Sequence, residues 1–300
     1  MKDLGYRPNW AGRALRRQRT GLVGAVVSGP SNPWREHLVD LGQSELARHG
    51  LDLVVLPVVR RGAGLDRVMD LLDRRVVDAC FTVHLEDDRS PSRLVDQPIP
   101  SIAFAESGFE GIAKVRHAYA EAAAGCASTL VGRGVRRFIL VREDVDDPDG
   151  EDPIFADPVT DVLTHEAPDA ETTEVFVPYR IGGELSGLPW DQVTRATRED
   201  PVVLLCKSDR LAIQIVSELA RRGLDLGRSI GVVGRGDLPE SAQIGLSTLG
   251  TGMSGYGEVF AALADAARTG EPVAEEWTFP WTFIERTTTA DLSPLRGAQP

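Results

Sequence analysis

The residue types that most often perform catalysis or bind metals are present, but their spacing fits neither use. The histidines show no metal-ligand spacing; they are His37, His49, His84, His117 and His165. No serine has the flanking glycines of a nucleophile elbow, and the segment after the first apolar run, Ser28–Ser31, lacks the GxGxxG spacing of a phosphate loop. No two carboxylates form a pair with assignable acid and base roles. The sequence therefore predicts a protein that is not an enzyme and that holds no metal or cofactor.

A second chemical feature is the uneven distribution of charge. The 300 residues carry a formal net charge of -12, which argues against general binding to nucleic acid because phosphate would repel most of this surface. Residues 1–22, however, hold six basic side chains and one acid, so this segment carries +5 and the remainder carries -17. Such asymmetry indicates a local contact with a polyanion. A solvated basic helix is the alternative.

Composition places the chain among soluble globular proteins. It is 42% hydrophobic and 26% charged, and it is long enough for two domains. Its cysteines, Cys80, Cys126 and Cys206, lie far apart, so we expect no disulfide framework and a reduced compartment. No apolar run approaches the length of a membrane span, and the arginine-rich start does not resemble a secretory signal. We therefore expect a cytoplasmic protein.

From Gly21 onward, short β-rich runs alternate with longer segments of helical periodicity. The predicted strands are Gly21–Val27, Leu51–Val55, Ala79–Val83, Pro100–Phe104, Arg137–Val141, Thr173–Val177, Pro201–Cys206 and Ile230–Val233. The clearest helix is Ser208–Arg222, with apolar residues every four positions, Ser208 as its N-cap and Gly223 just past its end. This alternation predicts an α/β fold with two parallel sheets, which bind ligands outside the carboxyl ends of their strands.

One stretch breaks the alternation. Arg142–Asp161 holds nine acids and three prolines, and we interpret it as a loop between the two halves. A calcium loop that started at Asp144 would place Pro148 and Asp149 where an acid and a glycine belong, so a solvated loop is the better interpretation.

Several motifs, taken in order, resemble the LacI/GalR family of bacterial transcription regulators. The first are LGYRPNWAGRAL at Leu4–Leu15, RTGLVGAVV from Arg19, and SNPW at Ser31–Trp34. The later ones are RRVVD at Arg74–Asp78, Gly134 with Arg136–Phe138, CKSD at Cys206–Asp209, IGVVG at Ile230–Gly234 and LST at Leu246–Thr248. The resemblance covers almost the whole chain, and its specificity lies in the ordered set.

The resemblance implies two similar Rossmann-like lobes of the periplasmic-binding-protein type I architecture, with a ligand cleft between them. The implied division is 1–19 as headpiece remnant and hinge helix, 20–142 with 250–275 as the N-terminal lobe, 143–249 with 276–290 as the C-terminal lobe, and 291–300 as a tail. The helix-turn-helix that precedes the LGYRPN motif in relatives has no counterpart in this sequence. Members of the family dimerise through the core, and a small effector changes their affinity for operator DNA.

In such a regulator the hinge segment contacts the operator. By resemblance, Leu15 is an apolar wedge in the minor groove, Asn9 caps the hinge helix, and Arg7, Arg13 and Arg16 lie alongside to contact phosphates. An isolated helix this short is marginal in water, so it should order only on DNA or against a dimer mate. A disordered basic tail is the alternative for the chain as it stands.

The first lobe contributes Ser31, Trp34 and Arg35 to the predicted ligand site. Trp34 matches an aromatic that faces the effector in relatives, and packing within the lobe is the alternative. Arg35 stands where a second aromatic is common. Because arginine offers charge and bidentate hydrogen bonds, Arg35 favours a carboxylate or phosphate over a neutral sugar, unless it is an ordinary exposed helix residue.

The second lobe contributes Ser208, Asp209, Asp237 and Trp190 to the same site. Ser208 replaces the usual asparagine of the family, while Asp209 and Asp237 match family aspartates. Gly236 replaces an acid that commonly holds sugar hydroxyls. Since several hydroxyl-binding positions are lost together, we do not expect an ordinary hexose as effector.

These features predict the effector-sensing and dimerisation core of a LacI-type regulator that works as a homodimer and binds operator DNA only with its headpiece. A stand-alone cytoplasmic solute-binding protein is one alternative, and the hinge motif argues against it. A headless regulator that acts by heterodimerising with an intact relative is the other.

Overall fold

The computed structural model describes residues 18–28, 33–58, 63–83, 93–94, 96–105, 111–144, 153–178, 185–197, 200–253 and 255–292. The predicted hinge contacts Arg7, Asn9, Arg13, Leu15 and Arg16, and the predicted ligand contact Ser31, lie outside the described residues. The chain divides into two compact units. Unit 1 comprises Met1–His117 and Met253–Phe279, and unit 2 comprises Ala118–Gly252 and Pro280–Pro300.

Strands and helices alternate along the chain in the predicted manner. The elements up to the middle of the chain are β1 (Leu22–Ser28), α1 (Pro33–Arg48), β2 (Asp52–Val58), α2 (Ala63–Asp73), β3 (Ala79–Val83), β4 (Ser101–Phe104), β5 (Ala113–His117), α3 (Tyr119–Gly132), β6 (Arg137–Asp144) and α4 (Pro153–Glu166). The rest are β7 (Glu171–Pro178), α5 (Trp190–Thr194), β8 (Val202–Cys206), α6 (Asp209–Arg221), β9 (Ile230–Arg235), α7 (Pro239–Gln243), β10 (Ser247–Gly250), α8 (Tyr256–Thr269), β11 (Trp277–Phe279), β12 (Thr282–Ile284) and α9 (Thr287–Ala290).

Each unit is built on one six-stranded sheet. The strand order is β11-β5-β4-β3-β1-β2 in unit 1, with every pair parallel. The order is β12-β10-β9-β8-β6-β7 in unit 2, where only the pair of β10 and β12 is antiparallel. The central strands β3 and β8 are buried at every position, as expected for parallel strands that helices cover on both faces. The predicted α/β class with two parallel sheets is confirmed.

The predicted helix around Ser208–Arg222 is confirmed in its caps as well as its length. The Ser208 hydroxyl accepts a hydrogen bond from the Leu211 backbone N–H at 3.2 Å, and Gly223 has a φ of +67° just past the helix end. The buried stripe of α6 consists of Leu211, Ala212, Ile215 and Leu219. Residues every three or four positions therefore anchor α6 to sheet 2 and fix the position of its first turn.

The structure divides the chain at positions other than those predicted. Helix α3 and strand β6 belong to unit 2. The chain therefore first crosses from unit 1 to unit 2 after His117, whereas the predicted crossing followed residue 142. The reason is packing, because α3 contacts β10 and β12 of sheet 2. Two short strands close to each other in sequence lie in different sheets, β11 in sheet 1 and β12 in sheet 2. Pro280, which has no backbone N–H to donate, separates them.

The loop predicted over Arg142–Asp161 is wrong at both ends. Strand β6 continues to Asp144, and helix α4 begins at Pro153. Proline is favoured at the first position of a helix, where its missing N–H costs no hydrogen bond, so Pro153 starts α4 rather than preventing it. Residues 145–152 of the predicted loop lie outside the described residues.

Candidate ligand site at the carboxyl edges of the sheets

The carboxyl edge of sheet 1 is aromatic. Phe104, His117 and Phe279 are the last residues of β4, β5 and β11, three adjacent strands. Trp34 lies in the first turn of α1, after β1, and Tyr256 is the first residue of α8. Four of these side chains are buried, and Phe279 is half-buried. The edge at which parallel sheets bind ligands therefore carries rings in unit 1.

These rings form a connected cluster around one hydrogen bond. His117 Nε2 lies 2.8 Å from the Tyr256 hydroxyl. The Trp34 ring meets the His117 ring edge-on with centroids 5.3 Å apart, and the Phe279 ring lies 4.3 Å from that of Tyr256. Contacts of this geometry add to the stabilisation from burial alone.

The predicted ligand residues of unit 1 lie next to each other on α1 but differ in exposure. Trp34 is only 6% exposed, and its neighbours are His117 and Tyr256. Arg35 is half-buried. Trp34 thus packs within unit 1 in this structure. Contact of an effector with Trp34 or with Arg35 stays a prediction.

The carboxyl edge of sheet 2 is organised by a buried carboxylate. Asp209 is 1% exposed and lies in the first turn of α6. Its Oδ2 accepts hydrogen bonds from the Leu238 backbone N–H and the Ser241 hydroxyl, each at 2.7 Å, and its Oδ1 accepts one from the Thr248 hydroxyl at 2.5 Å. Burial raises the pKa of Asp209, while these three hydrogen bonds lower it. Asp209 therefore joins α6 to the segment after β9 and to β10.

Asp237 is held beside this network by an ion pair. Its Oδ1 lies 2.7 Å from Arg286 Nη2, and both side chains are less than one-fifth exposed. Arg286 also donates to the Leu246 carbonyl, and its own backbone N–H donates to the Ser247 hydroxyl. The Asp237 backbone N–H lies 3.4 Å from the Thr248 hydroxyl. The predicted ligand residues Ser208, Asp209 and Asp237 are therefore brought together, with both carboxylates engaged by protein donors.

Two glycines make room for these carboxylates. A Cβ on Gly234 would collide with Asp209, and a Cβ on Gly250 would collide with Asp237. Asp237 itself has a φ of +50°, a left-handed conformation that aspartate tolerates better than most residues. Glycine is therefore required at Gly234, in the IGVVG motif, and at Gly250, at the end of β10, to leave space for the two aspartates.

An arginine above an aromatic ring completes the edge of sheet 2. Arg235 ends β9, and its guanidinium carbon lies 4.8 Å from the centroid of the Tyr119 ring. Tyr119 in turn contacts Trp281 in a T-shaped arrangement with centroids 4.3 Å apart, and both rings are buried. Because α3 leads into the start of β6, its first residue, Tyr119, lies toward the carboxyl edge of sheet 2.

Trp190 does not join the other predicted ligand residues. It begins the short helix α5, and the guanidinium of Arg222, at the end of α6, lies 4.0 Å from its ring centroid. Because α6 starts at the carboxyl edge, its end lies toward the opposite, amino edge. Trp190 therefore belongs to a different surface of unit 2, and its role as a ligand contact stays a prediction.

The amino edge of sheet 2 carries a surface pocket of about 530 Å³. Charged and amide side chains line it: Arg136, Arg137, Asp169, Glu171, Gln192, Arg195 and Asp200. The charges are largely paired within the pocket, with Arg137 2.9 Å from Asp200 and Arg136 3.2 Å from Asp169. Because these charges form ion pairs with each other, we do not take the pocket as the candidate ligand site.

Sequence reasoning missed several residues that organise the edges. The sequence motifs include Thr248, in LST, but assign it no role, and they include neither Arg235 nor Arg286. Tyr256 carried no signal, because its partner His117 lies 139 positions away. Contacts over such separations come from topology rather than from local pattern.

Three further features concern only the part of the chain that the structure describes. Within the ranges given above, no group of three or more histidine, cysteine, aspartate or glutamate side chains is arranged to hold a metal ion. Burial raises the pKa of Cys80 to about 11, so its thiol is a poor nucleophile at neutral pH. Among the described helices, none has the length and apolar character needed to cross a membrane.

Several solved structures have the same fold over most of this chain. A LacI family regulator from Bifidobacterium animalis subsp. lactis has a TM-score of 0.74 at 18% identity, over 92% of this chain and 100% of that chain. The lac repressor dimer bound to operator and the anti-inducer ONPF has a TM-score of 0.71 at 18% identity, over 95% and 99%. A periplasmic binding protein/LacI regulator from Alkaliphilus metalliredigens, complexed with D-xylulofuranose, has a TM-score of 0.72 at 14% identity, over 90% and 99%.

At these identities the structural matches define the class of fold, that of the LacI-type effector core. Residues 127–289, more than half of the chain, match the family described as periplasmic binding protein-like domain. The chain belongs to this family. No curated protein sequence matches the chain. The fold and family expected from the sequence motifs are thereby confirmed, and the matched proteins are regulators and binding proteins rather than enzymes.

Proposed function

We propose that this protein is the effector-sensing and dimerising core of a LacI-type transcriptional regulator. The observation that carries the proposal is the pair of specialised carboxyl edges, aromatic in unit 1 and charged in unit 2, on a fold shared with operator-binding relatives. A small ligand at these edges changes the affinity of a homodimer for operator DNA through the hinge. The coupling is reciprocal, so operator DNA also changes the affinity for the ligand. The protein acts in the cytoplasm and catalyses no reaction.

The ligand is a small molecule other than an ordinary hexose. The relative from Alkaliphilus metalliredigens is complexed with D-xylulofuranose, and the lac repressor with the anti-inducer ONPF, so proteins of this fold bind small ligands. The hydrogen bonds that Arg286, Thr248 and a backbone N–H donate to the carboxylates at the edge of unit 2 support an effector that depends less on hydroxyl groups. Arg35 beside Trp34 supports an effector with a negative charge.

Chromatin immunoprecipitation of the protein, tagged at its chromosomal locus, tests the regulatory role. We expect enrichment at a small number of palindromic sites and loss of that enrichment in a Leu15→Asp variant, because a charged side chain cannot act as the hinge wedge. A Glu275→Gln variant, which changes an exposed residue of unit 1, is the matched control and should retain enrichment.

Uniform recovery of the genome, or enrichment that is unchanged in Leu15→Asp, would contradict the proposal. Recovery of the same sites only in the presence of a second family member, identified by mass spectrometry of the precipitate, would favour the heterodimeric alternative instead.

A further inference from the structure

We propose that Arg19 couples the ring cluster of unit 1 to the predicted hinge, residues 1–19, and that helix α8 is the connecting element. The inference rests on the proposed function, because it names the residue through which a ligand at the carboxyl edge of sheet 1 acts on the hinge. All of its elements belong to unit 1. Arg19 is a positioning residue, since it lies at the amino edge of the sheet, away from the candidate ligand site.

The end of the predicted hinge is attached to unit 1 through its backbone. Asp78, the aspartate of the RRVVD motif, accepts one hydrogen bond on each carboxylate oxygen, from the Thr20 N–H at 2.8 Å and from the Gly21 N–H at 2.7 Å. The N–H of Leu22, the first residue of β1, donates to the Thr20 hydroxyl at 3.1 Å. The chain therefore enters β1 from a fixed point at the amino edge of sheet 1.

Arg19 comes directly before this point and contacts the end of α8. Its guanidinium donates a hydrogen bond to the backbone carbonyl of Ala267, in the last turn of the helix. The Glu271 N–H, which a longer helix would direct to that carbonyl, donates instead to the Thr269 hydroxyl at 3.2 Å, so the Ala267 oxygen needs a donor from outside the helix. A positive charge at this end also interacts favourably with the helix dipole.

The residue before Arg19 is held in an uncommon conformation. Gln18 has a left-handed backbone with a φ of +53°. Few residues with a side chain adopt this conformation, and they do so where the surrounding structure imposes it. The contact of Arg19 with α8 and the two hydrogen bonds to Asp78 supply that constraint. The junction between the predicted hinge and unit 1 therefore has a defined geometry.

The opposite end of α8 belongs to the ring cluster. Tyr256, the first residue of α8, shares a hydrogen bond with His117, and its ring centroid lies 6.4 Å from that of Trp34. The helix has 14 residues and is therefore about 20 Å long. Helix α8 thus runs from the candidate ligand site of unit 1 to the residue that precedes β1.

Helix α8 is packed closely enough to move as one body. It contacts α1, and a Cβ on Gly42 of α1 would lie only 2.9 Å from the Phe260 ring of α8. Its buried residues extend over the whole helix: Tyr256, Val259, Phe260, Leu263, Ala264, Ala266 and Ala267. Close-packed elements transmit a displacement rather than absorb it. A shift of Tyr256 caused by a ligand is therefore carried to Arg19.

The mobility of a nitroxide label on Gln18→Cys tests the contact of Arg19 in the full chain. The label reacts with this exposed position because the native cysteines, Cys80, Cys126 and Cys206, are buried. We expect Arg19→Gln to raise the ratio of mobile to immobile label about tenfold, as for loss of a hydrogen bond from a charged donor. The control Arg268→Gln changes an exposed arginine of the same last turn and should leave the ratio unchanged. An unchanged ratio in Arg19→Gln would overturn the proposal.

A substitution at the start of α8 tests the coupling along the helix. Tyr256→Phe removes the hydroxyl that is bonded to His117 and keeps the ring, so we expect a more mobile label when Arg19 is present and no further increase in Arg19→Gln. The control Val68→Ala opens a cavity in the core around α2 and should leave the label unchanged. No effect of Tyr256→Phe, or an equal effect of Val68→Ala, would contradict the coupling. If Tyr256→Phe does not fold, Trp34→Phe perturbs the same cluster, and the same two outcomes decide.

The two proposals can fail separately, because label mobility is measured without DNA and without ligand. Absence of the coupling, with operator enrichment intact, leaves the regulator and removes Arg19 as its coupling residue. Coupling without operator enrichment removes the regulator and leaves a core in which the ring cluster acts on residues 1–19.

Discussion

The two sheets of this protein share a strand order but differ in the residues that form their carboxyl edges. In unit 1 the edge is a cluster of rings with one internal hydrogen bond, between His117 and Tyr256. In unit 2 the edge is a network of carboxylates, hydroxyls and an arginine, centred on Asp209. The carboxyl edges of the two sheets are therefore stabilised by different interactions. Dispersion and burial of rings stabilise the edge in unit 1, and electrostatic interactions stabilise the edge in unit 2.

The difference predicts that the two units respond differently to solution conditions. Ring packing depends little on pH or salt, whereas hydrogen bonds to a buried carboxylate depend on its protonation. Variants at the two edges should separate these behaviours.

Truncation of a ring in unit 1 should give the largest loss. Phe104 is 1% exposed and contacts the rings of Phe81, Tyr256 and Phe260. Phe104→Ala removes this packing and leaves a cavity, so we expect a loss of about 4 kcal/mol in the free energy of unfolding. Urea unfolding at several pH values provides the measurement. A loss that varied strongly with pH would contradict the ring-packing account of unit 1.

Removal of the central carboxylate of unit 2 should cost about 3 kcal/mol, because Asp209→Ala leaves the donors of Leu238, Ser241 and Thr248 without their acceptor. The pKa of Asp209 is raised by burial, so the folded state binds its proton more tightly than the unfolded state does. Its contribution to stability is therefore complete below the unfolded pKa and declines as pH rises through the folded pKa. Asp209→Ala should abolish that decline. An unchanged pH profile would argue against a titrating carboxylate here.

Two buried threonines should respond in opposite ways to the same substitution. Thr248→Val removes a hydroxyl that donates to Asp209, and we expect a loss of about 2 kcal/mol. The Thr82 hydroxyl is buried in sheet 1 with no hydrogen-bond partner among the described residues, so Thr82→Val should gain about 1 kcal/mol. Thermal unfolding of both variants provides the comparison, and a loss of stability in Thr82→Val would refute the second half.

An ion pair of unit 2 should give a small, pH-dependent effect. Hydrogen bonding to Arg133 lowers the pKa of Glu285, so this pair stabilises the fold above the unfolded pKa and loses its effect as pH falls through the folded pKa. Glu285→Gln should cost about 1 kcal/mol at neutral pH and nothing in acid. The matched control is Glu276→Gln in unit 1, where the more exposed pair with Arg116 should contribute little. Equal losses of stability in Glu285→Gln and Glu276→Gln at neutral pH would contradict the expected difference between the two ion pairs.

The sequence pattern predicted those elements whose determinants lie close together in the chain. Helix α6 was predictable because Ser208, its apolar stripe and Gly223 all lie within sixteen residues. The first crossing between the units, after His117, was not, because the position of α3 depends on packing against β10 and β12, which come more than one hundred residues later. The candidate site follows the same rule: the motif residues Asp209 and Asp237 were found from sequence, whereas their partners Thr248 and Arg286 are assembled by the sheet.

Hydrogen–deuterium exchange shows directly whether the carboxyl edges bind the ligand. The full chain is compared with and without the low-molecular-mass fraction of an extract from the cells that make it. We expect slower exchange in peptides covering the start of α1, His117–Tyr119, Lys207–Leu211 and Arg235–Leu238, and no change around Arg136 and Arg195 at the amino edge of sheet 2. Protection confined to the amino edge, or no protection at the carboxyl edges from an extract that releases operator DNA, would contradict the account.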